Sequence, residues 1–160
     1  MATLHLMVGL PCSGKTTFAR RLAQERRALL LTTDTWHLRL FGSDVGDPRH
    51  GERHSEIEAI MWDVASRVLT LGRDVILDFG CWTRAERDDF RDKARGLGVC
   101  FRLHYMDVPY NELYRRLEAR NRNPPAGAFV IPREEMDKYI PRFQPPAPDE
   151  LSPEAPFPDP

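Results

Sequence analysis

The stretch Gly9-Leu10-Pro11-Cys12-Ser13-Gly14-Lys15-Thr16 matches the pattern G-x-x-x-x-G-K-[ST] at every defined position. The apolar run before it, residues 4–8, predicts a strand, and the apolar spacing of Lys15–Arg26 predicts a helix. A glycine-rich turn between a strand and a helix lets successive backbone N–H groups surround an anion at the helix N-terminus. The stretch therefore predicts a phosphate-binding loop.

The residue types in this loop indicate which atoms would contact ATP and Mg²⁺, the two expected cofactors. Lys15 is expected to reach the β- and γ-phosphates and is a candidate catalytic residue. Thr16 is expected to offer its hydroxyl to Mg²⁺, and Thr17 to bond a further phosphate. The predicted nucleotide contacts of the loop are Gly9, Pro11, Cys12, Ser13, Gly14, Lys15, Thr16 and Thr17.

Strand and helix patterns alternate along the rest of the chain. Strands are predicted at Leu29–Thr32, 75–77 and 99–106, and helices at 55–71, from Thr83 to Gly96, from Pro109 to about Arg120, and from Pro132 onward. Continuous apolar strands joined by helices are typical of a parallel sheet covered on both faces. We expect a three-layer α/β/α P-loop NTPase with a short parallel sheet of four to five strands and a helical lid.

Proline separates a tail from the domain, because eight of the 14 prolines lie in the last twenty residues. We expect a domain at 1–143, with its lid at about 115–131. The acidic tail, 144–160, is expected to be extended or disordered, with part of it packed on the domain.

Composition restricts the class of protein. Lys and Arg total 23 against 24 Asp and Glu, a net charge of −1, which argues against a protein that coats nucleic acid. No apolar run is long enough for a membrane span, and the N-terminus lacks the pattern of a signal peptide. Cys12, Cys81 and Cys100 form no disulfide framework. These features predict a cytoplasmic protein with no membrane partner.

Two acids follow predicted strands at the edge where ligands bind in open α/β folds. Asp34 is expected to accept the proton of an attacking hydroxyl as general base, although it would also suit a helix cap for residues 35–41. Asp78 ends the run Val75-Ile76-Leu77, a Walker B pattern, and is expected to help hold Mg²⁺ or to shape the acceptor side.

A group of arginines precedes the Pro/Gly loop at 123–128. Arg116 and Arg120 are four residues apart and so share one helix face. As lid residues they would contact the nucleotide and neutralise charge on the transferred phosphoryl group. The alternative is an ordinary solvated face paired with Glu112 and Glu118.

Residues 36–54 are rich in loop-forming and basic residues and are expected to face the acceptor. The candidate acceptor residues are Trp36, His37, Arg39, Asp78 and Arg84, with Trp62 as a second ring for stacking. A zinc site formed by the histidines is an alternative. No cysteine or H-E-x-x-H arrangement supports it, so each histidine is expected to be an exposed loop residue.

With these motifs the chain resembles the P-loop kinases of the polynucleotide-kinase, zeta-toxin and chloramphenicol-phosphotransferase group, and most of all the kinase domain of phage-type polynucleotide 5′-kinase. The resemblance rests on the phosphate-binding loop, 31–34, 76–78, 106–109 with Glu112-Leu113, and Arg116 and Arg120. It implies that Asp34 is the catalytic base, that Arg120 is the catalytic lid arginine on the donor phosphates with Arg116 beside it, and that Asp78 shapes the acceptor side. The 5′-kinase pattern has an arginine where this chain has His37. The run 78–87 also resembles ATP-binding proteins of the AAA_33 type that have no known substrate.

The sequence predicts an ATP-dependent kinase that transfers the γ-phosphate to a hydroxyl of a small molecule, or of a nucleoside or polynucleotide 5′ end. The net charge of −1 favours a small-molecule acceptor over a polynucleotide. The alternative is a nucleotide-gated binding or regulatory ATPase that transfers no phosphate. The sequence leaves open the acceptor, the choice between ATP and GTP, and the oligomeric state.

Overall fold

The structure is a computed structural model that describes residues 1–151. The remaining residues of the predicted tail, 152–160, lie outside the described part. The strands are β1 (Thr3–Val8), β2 (Leu29–Thr32), β3 (Val75–Gly80) and β4 (Cys100–Tyr105). The helices are α1 (Lys15–Arg26), α2 (Thr33–Phe41), α3 (His50–Thr70), α4 (Arg84–Gly96), α5 (Tyr110–Arg122), α6 (Arg133–Tyr139), followed by a 3-10 turn at Ile140–Arg142, and α7 (Pro148–Leu151).

The four strands form one parallel sheet in the order β2-β3-β1-β4. Leu4 is in register with Val75 on one side, and Thr3 with Cys100 on the other. The predicted parallel sheet is confirmed. Since all strands run the same way, the segments that follow β1, β2, β3 and β4 meet at one edge of the sheet.

Helices cover both faces of this sheet. Met7 and Ile76 point to the face covered by α1, where they pack with Ala19 and Leu22. Their neighbours along the strands point the other way into the larger core, which includes Ile57 of α3 and Phe90 and Ala94 of α4. This alternation produces the predicted three-layer α/β/α arrangement.

Three of the element boundaries that differ from the sequence-based prediction lie near the candidate site residues. Helix α2 begins at Thr33, two residues before the expected helix at 35–41, so Asp34 lies within its first turn. Strand β3 continues to Gly80, which places Asp78 inside the strand. Helix α3 begins at His50, five residues before the predicted start, because Asp47 forms a turn ahead of it: the Arg49 N–H donates to Asp47 Oδ1 at 2.8 Å.

The described part of the tail, residues 144–151, packs on the domain. The Gln144 N–H donates to the Trp82 carbonyl at 2.8 Å. Glu150 is 4% exposed and accepts from Arg87 Nε at 2.6 Å and Nη2 at 3.0 Å, while Arg87 itself is fully buried. Arg87 Nη1 also donates to the Gln144 carbonyl at 2.9 Å. Residues 144–151 therefore belong to the folded unit. Within residues 1–151, no helix combines the length and apolarity needed to cross a membrane.

Candidate functional site

The loop between β1 and α1 has the backbone that an anion-binding turn requires. Gly9 and Gly14 have φ values of 148° and 94°, in the region that favours glycine. A Cβ on Gly9 would lie 2.7 Å from Ser13 Oγ and 3.2 Å from the Met106 carbonyl oxygen. Any larger residue at position 9 would therefore open the loop.

The N-terminus of α1 has the charge that favours a bound anion. The first turn of α1 carries no acidic residue, and Gly14 provides no side-chain cap, so its N–H groups have no capping acceptor. The Ser13 hydroxyl is buried without a partner. Lys15 Nζ donates to the Leu10 carbonyl at 2.9 Å, which bends the side chain back over the loop. Burial lowers the pKa of Lys15, an effect opposed by the Asp78 carboxylate.

Asp78 and Thr16 offer the oxygen ligands that suit Mg²⁺. The Thr16 hydroxyl donates to Asp78 Oδ2 at 2.6 Å, across the gap between α1 and β3. Asp78 Oδ1 is buried and has no hydrogen-bond partner. Burial raises the pKa of the Asp78 carboxyl group. The charge of Lys15 and the hydrogen bond from Thr16 act against this rise. A buried carboxylate oxygen without a partner, beside a threonine hydroxyl, fits a divalent cation at this position.

Asp34 faces the phosphate-binding loop from the first turn of α2. Burial raises the pKa of its carboxyl group, and the charges of Lys15 and Arg120 oppose that rise. Within residues 1–151, the Asp34 carboxylate takes part in no hydrogen bond or ion pair. The structure thus brings together the three predicted catalytic side chains, and Asp34 among them retains an unengaged carboxylate.

Arg120 and Arg116 lie on α5 and connect the predicted lid to the site. Arg120 Nη2 donates to the Phe129 carbonyl at 2.7 Å, and its Nε is buried without a partner. Arg116 Nη1 lies 3.4 Å from the Cys12 carbonyl of the loop, and its Nε donates to Glu112. The pairing with Glu112 predicted as the alternative is therefore present, together with a contact to the loop.

We call residues 123–132, which connect α5 to α6, the flap. Asn121 fixes the flap by donating to the Ile131 carbonyl at 2.7 Å and accepting from the Ile131 N–H at 3.3 Å. Phe129 and Ile131 are buried. Phe129 and Ile131 thus anchor the flap on the domain, with Phe129 against His37 of α2, whereas residues 123–127 are exposed.

The other candidate acceptor residues are not all brought to the site. Trp36 is half-buried against the core, whereas Arg39 is exposed and lies roughly 140° around α2 from Asp34. Arg84 is exposed and donates to Asp149 at 2.6 Å. Trp62 packs edge-on against Phe90, with ring centroids 5.8 Å apart, which places it between α3 and α4.

The prediction that the histidines are exposed loop residues is wrong. His37 is fully buried in α2, and His50 and His54 are partly buried on α3. The three rings converge, with His37 Nδ1 3.2 Å from His54 Nδ1 and the His37 and His50 centroids 4.5 Å apart. Burial, together with the charges of His50 and His37, lowers the pKa of His54 to about 4. Their spacing on one helix face, His50 and His54 being four residues apart, was the signal that could have found this cluster.

A family model described as an AAA domain, AAA_33, matches residues 4–146, nearly all of the described chain. The chain belongs to the AAA_33 family. This assignment confirms the resemblance to P-loop kinases. No curated protein matches the sequence.

Solved structures share the fold of this AAA_33 domain. Kti12 of Chaetomium thermophilum in complex with ADP-AlF3 has a TM-score of 0.70 and 21% identity, over 91% of this chain and 82% of that one. An unliganded sugar kinase from Janibacter sp. HTCC2649 has a TM-score of 0.67 and 19% identity, over 94% of this chain and 82% of that one. A chain of the Pnkp1/Rnl/Hen1 RNA repair complex has a TM-score of 0.66 and 26% identity, over 88% of this chain and 43% of that chain. These similarities identify a P-loop kinase fold.

Proposed function

We propose that this protein is an ATP-dependent phosphotransferase that moves the γ-phosphate of ATP to a hydroxyl group. One observation carries the proposal: Asp34 has an unengaged carboxylate within electrostatic reach of Lys15 and Arg120, above the phosphate-binding loop. A protein that bound nucleotide without transferring phosphate would have no use for a carboxylate held in this place. The family and the shared kinase fold support the same activity.

Each of the three side chains has a role that follows from its position. Asp34 accepts the acceptor hydroxyl proton as that oxygen forms its bond to the γ-phosphorus and the bond to the ADP oxygen breaks. Lys15 and Arg120 stabilise the negative charge that spreads over the transferred group. Thr16 and Asp78 would hold Mg²⁺, which neutralises charge on the β- and γ-phosphate oxygens when bound.

We propose a small-molecule hydroxyl as the acceptor. Arg53, 21% exposed, is paired with both Asp44 and Asp47, so it is not open to the phosphates of a polynucleotide. His37, which stands where the resemblance predicts an arginine, is fully buried. The sugar kinase among the similar structures is consistent with this choice, and a polynucleotide 5′ end is the second acceptor to test.

The activity is tested by incubating the protein with Mg-ATP and separate pools of sugars, nucleosides, antibiotics and 5′-hydroxyl oligonucleotides. Labelled γ-phosphate in one small-molecule pool is the expected result. Label on the oligonucleotides alone would contradict the acceptor class. Transfer to no pool, with background ATP hydrolysis unchanged by Asp34→Asn, would contradict the proposed activity and leave a nucleotide-gated module.

Lys15→Ala is expected to abolish the thermal stabilisation that ATP gives. Ligand at about 100 times its Kd stabilises a single-site protein by about 2.7 kcal/mol, and Lys15 is the cation nearest the expected phosphates. The measurement is the melting temperature with and without Mg-ATP. Lys138→Ala, which removes an exposed lysine paired with Glu135, is the matched control and should keep the shift. An unchanged shift in Lys15→Ala would mean that the nucleotide binds elsewhere.

Arg120→Ala is expected to lower the rate of phosphotransfer by about 10²-fold or more, because it removes both a cation and the bond that fixes the Phe129 carbonyl. Arg120→Lys keeps the positive charge but lacks the planar guanidinium group, so it separates the contribution of the charge from that of the hydrogen bond to Phe129. Arg122→Ala removes an exposed arginine two residues away and should leave kcat within about twofold. Equal rates for Arg120→Ala and Arg122→Ala would show that Arg120 does not contribute to phosphotransfer.

A further inference from the structure

Three imidazoles from two helices meet at one point beside the flap. His37 lies on α2, and His50 and His54 lie one turn apart on α3. Each offers one ring nitrogen that lies within 4.8 Å of the other two. His37 Nδ1 and His54 Nδ1 are 3.2 Å apart, close to the separation of two ligands bound to one tetrahedral ion at about 2.0–2.1 Å each.

One carboxylate, Asp44, lies on the far side of two of the rings. Its Oδ1 lies 2.6 Å from His50 Nδ1 and 2.8 Å from His37 Nε2. The negative charge of Asp44 favours a proton on the nitrogen that it faces in each ring, which leaves His50 Nε2 and His37 Nδ1 with their lone pairs.

His54 presents its Nδ1 to the same point, 3.2 Å from His37 Nδ1. A ligating histidine typically donates its other N–H to a carboxylate, which fixes the tautomer and raises the basicity of the ligand. Here Asp44 faces two of the three imidazoles in that way.

We propose that His37, His50 and His54 form a binding site for a divalent transition-metal ion, with Zn²⁺ the best match, and that Asp44 positions two of the ligands. Imidazole nitrogens select Zn²⁺, Co²⁺ or Ni²⁺ over Mg²⁺ and Ca²⁺, which prefer oxygen. Three protein ligands leave a fourth position for water or an anion. This site is separate from the Thr16 and Asp78 oxygens that suit Mg²⁺, and it does not depend on the proposed phosphotransfer.

The packing around the cluster indicates what the ion would stabilise. Phe129 of the flap packs edge-on against His37 and His50, with centroids 5.3 Å and 5.4 Å away. His37 lies one helical turn after Asp34 on α2. A metal bound to α2 and α3 would therefore fix the orientation of α2, and with it Asp34, under the buried part of the flap.

The site is tested by titrating the chelator-treated protein with Zn²⁺ in calorimetry and with Co²⁺ in visible absorption, without nucleotide. We expect one equivalent of metal, a Co²⁺ spectrum with nitrogen and oxygen ligation and no thiolate charge-transfer band, and a higher melting temperature with Zn²⁺. A thiolate band would assign the metal to a cysteine and overturn the proposal, as would binding weaker than that of an isolated imidazole.

Variants of the partly exposed ligands keep the test independent of folding. Loss of a residue that only hydrogen-bonds to a metal ligand typically weakens metal binding by roughly 10–100-fold, and this is the effect expected of Asp44→Asn. His50→Gln and His54→Gln each remove a ligand, so each should weaken Zn²⁺ binding by more than that. His104→Gln is the matched control, since His104 contacts His5 on the α1 side of the sheet, and it should bind metal normally. Equal metal affinity in His54→Gln, His104→Gln and the unaltered protein would refute the site.

Discussion

Asp34→Asn is expected to lower kcat/KM for phosphotransfer by roughly 10²–10⁴-fold, the usual contribution of a general base. The amide has nearly the shape of the carboxylate but cannot take the acceptor proton. Because Asp34 makes no hydrogen bond or ion pair within residues 1–151, the variant should fold and bind ATP as the unaltered protein does. A loss of catalysis with ATP binding retained is the combination that distinguishes a base from a structural residue.

The pH profile of kcat/KM gives a second measurement of the same group. Burial raises the pKa of Asp34 above its usual range, so the protonated, inactive form persists to higher pH than for an ordinary aspartate. Activity is therefore expected to fall on acidification, with a midpoint above that of an ordinary aspartate. The acidic limb should be absent from the residual activity of Asp34→Asn.

Asp63→Asn is the matched control for this experiment, because Asp63 is an exposed acid on α3. It should retain full activity. A reduction of less than threefold in Asp34→Asn, measured with the correct acceptor, would show that another group takes the proton.

Glu150→Ala is expected to lower the free energy of unfolding by about 3–5 kcal/mol, since it leaves the fully buried Arg87 guanidinium without its carboxylate. For a chain of this size that corresponds to a melting temperature lower by roughly 6–20 °C. Differential scanning calorimetry measures the effect. A chain that ends at residue 143 should lose at least as much, since it lacks both Glu150 and the Gln144 carbonyl.

The stability that Glu150 provides should depend on pH in a defined direction. Burial acts to raise the pKa of Glu150, but hydrogen bonds from Arg87 and the Ala147 N–H outweigh it and leave the pKa below its usual value. A lowered folded-state pKa gives stability above the unfolded pKa of about 4.3, and that stability is lost as the pH falls through the folded value. Unaltered protein and Glu150→Gln should thus converge in stability in acid.

Asp149→Asn is the comparison for the buried pair, because Asp149 and Arg84 form an ion pair with 62% and 49% exposed side chains. Solvent screening limits such a pair to about 0–1 kcal/mol. If both variants lost the same small amount, the Arg87 pair would not hold the tail segment to the domain.

Local patterns were enough to predict the sheet and most of the helices. The phosphate-binding motif carries its own context of strand and helix, and the predicted helix from Thr83 to Gly96 is present, with Thr83 and Glu86 forming a capping box at its start. Lys15 and Asp34 converge because each begins a segment that directly follows a strand of one parallel sheet, so their shared edge followed from the α/β alternation alone. Arg120 lies ten residues into α5, and its approach to Asp34 depends on the path of that helix.

The features that sequence reasoning missed depend on contacts between distant residues. The pairing of Arg87 with Glu150 spans 63 positions and leaves no periodic signal. The histidine cluster was missed because Pro48 and Gly51 made the start of α3 look like a loop, which hid the one-turn spacing of His50 and His54. Burial decided the properties of these groups, and burial depends on the complete fold.

The order β2-β3-β1-β4 has a consequence for how the site comes into existence. Thr3 must pair with Cys100, and Leu29 with Val75, before the segments that carry Lys15, Asp34 and Arg120 share one edge. Contacts this distant in sequence form slowly during folding. A fragment that lacks one of these strands is therefore not expected to assemble the nucleotide site. During refolding, nucleotide binding should appear only after the last strand has joined the sheet.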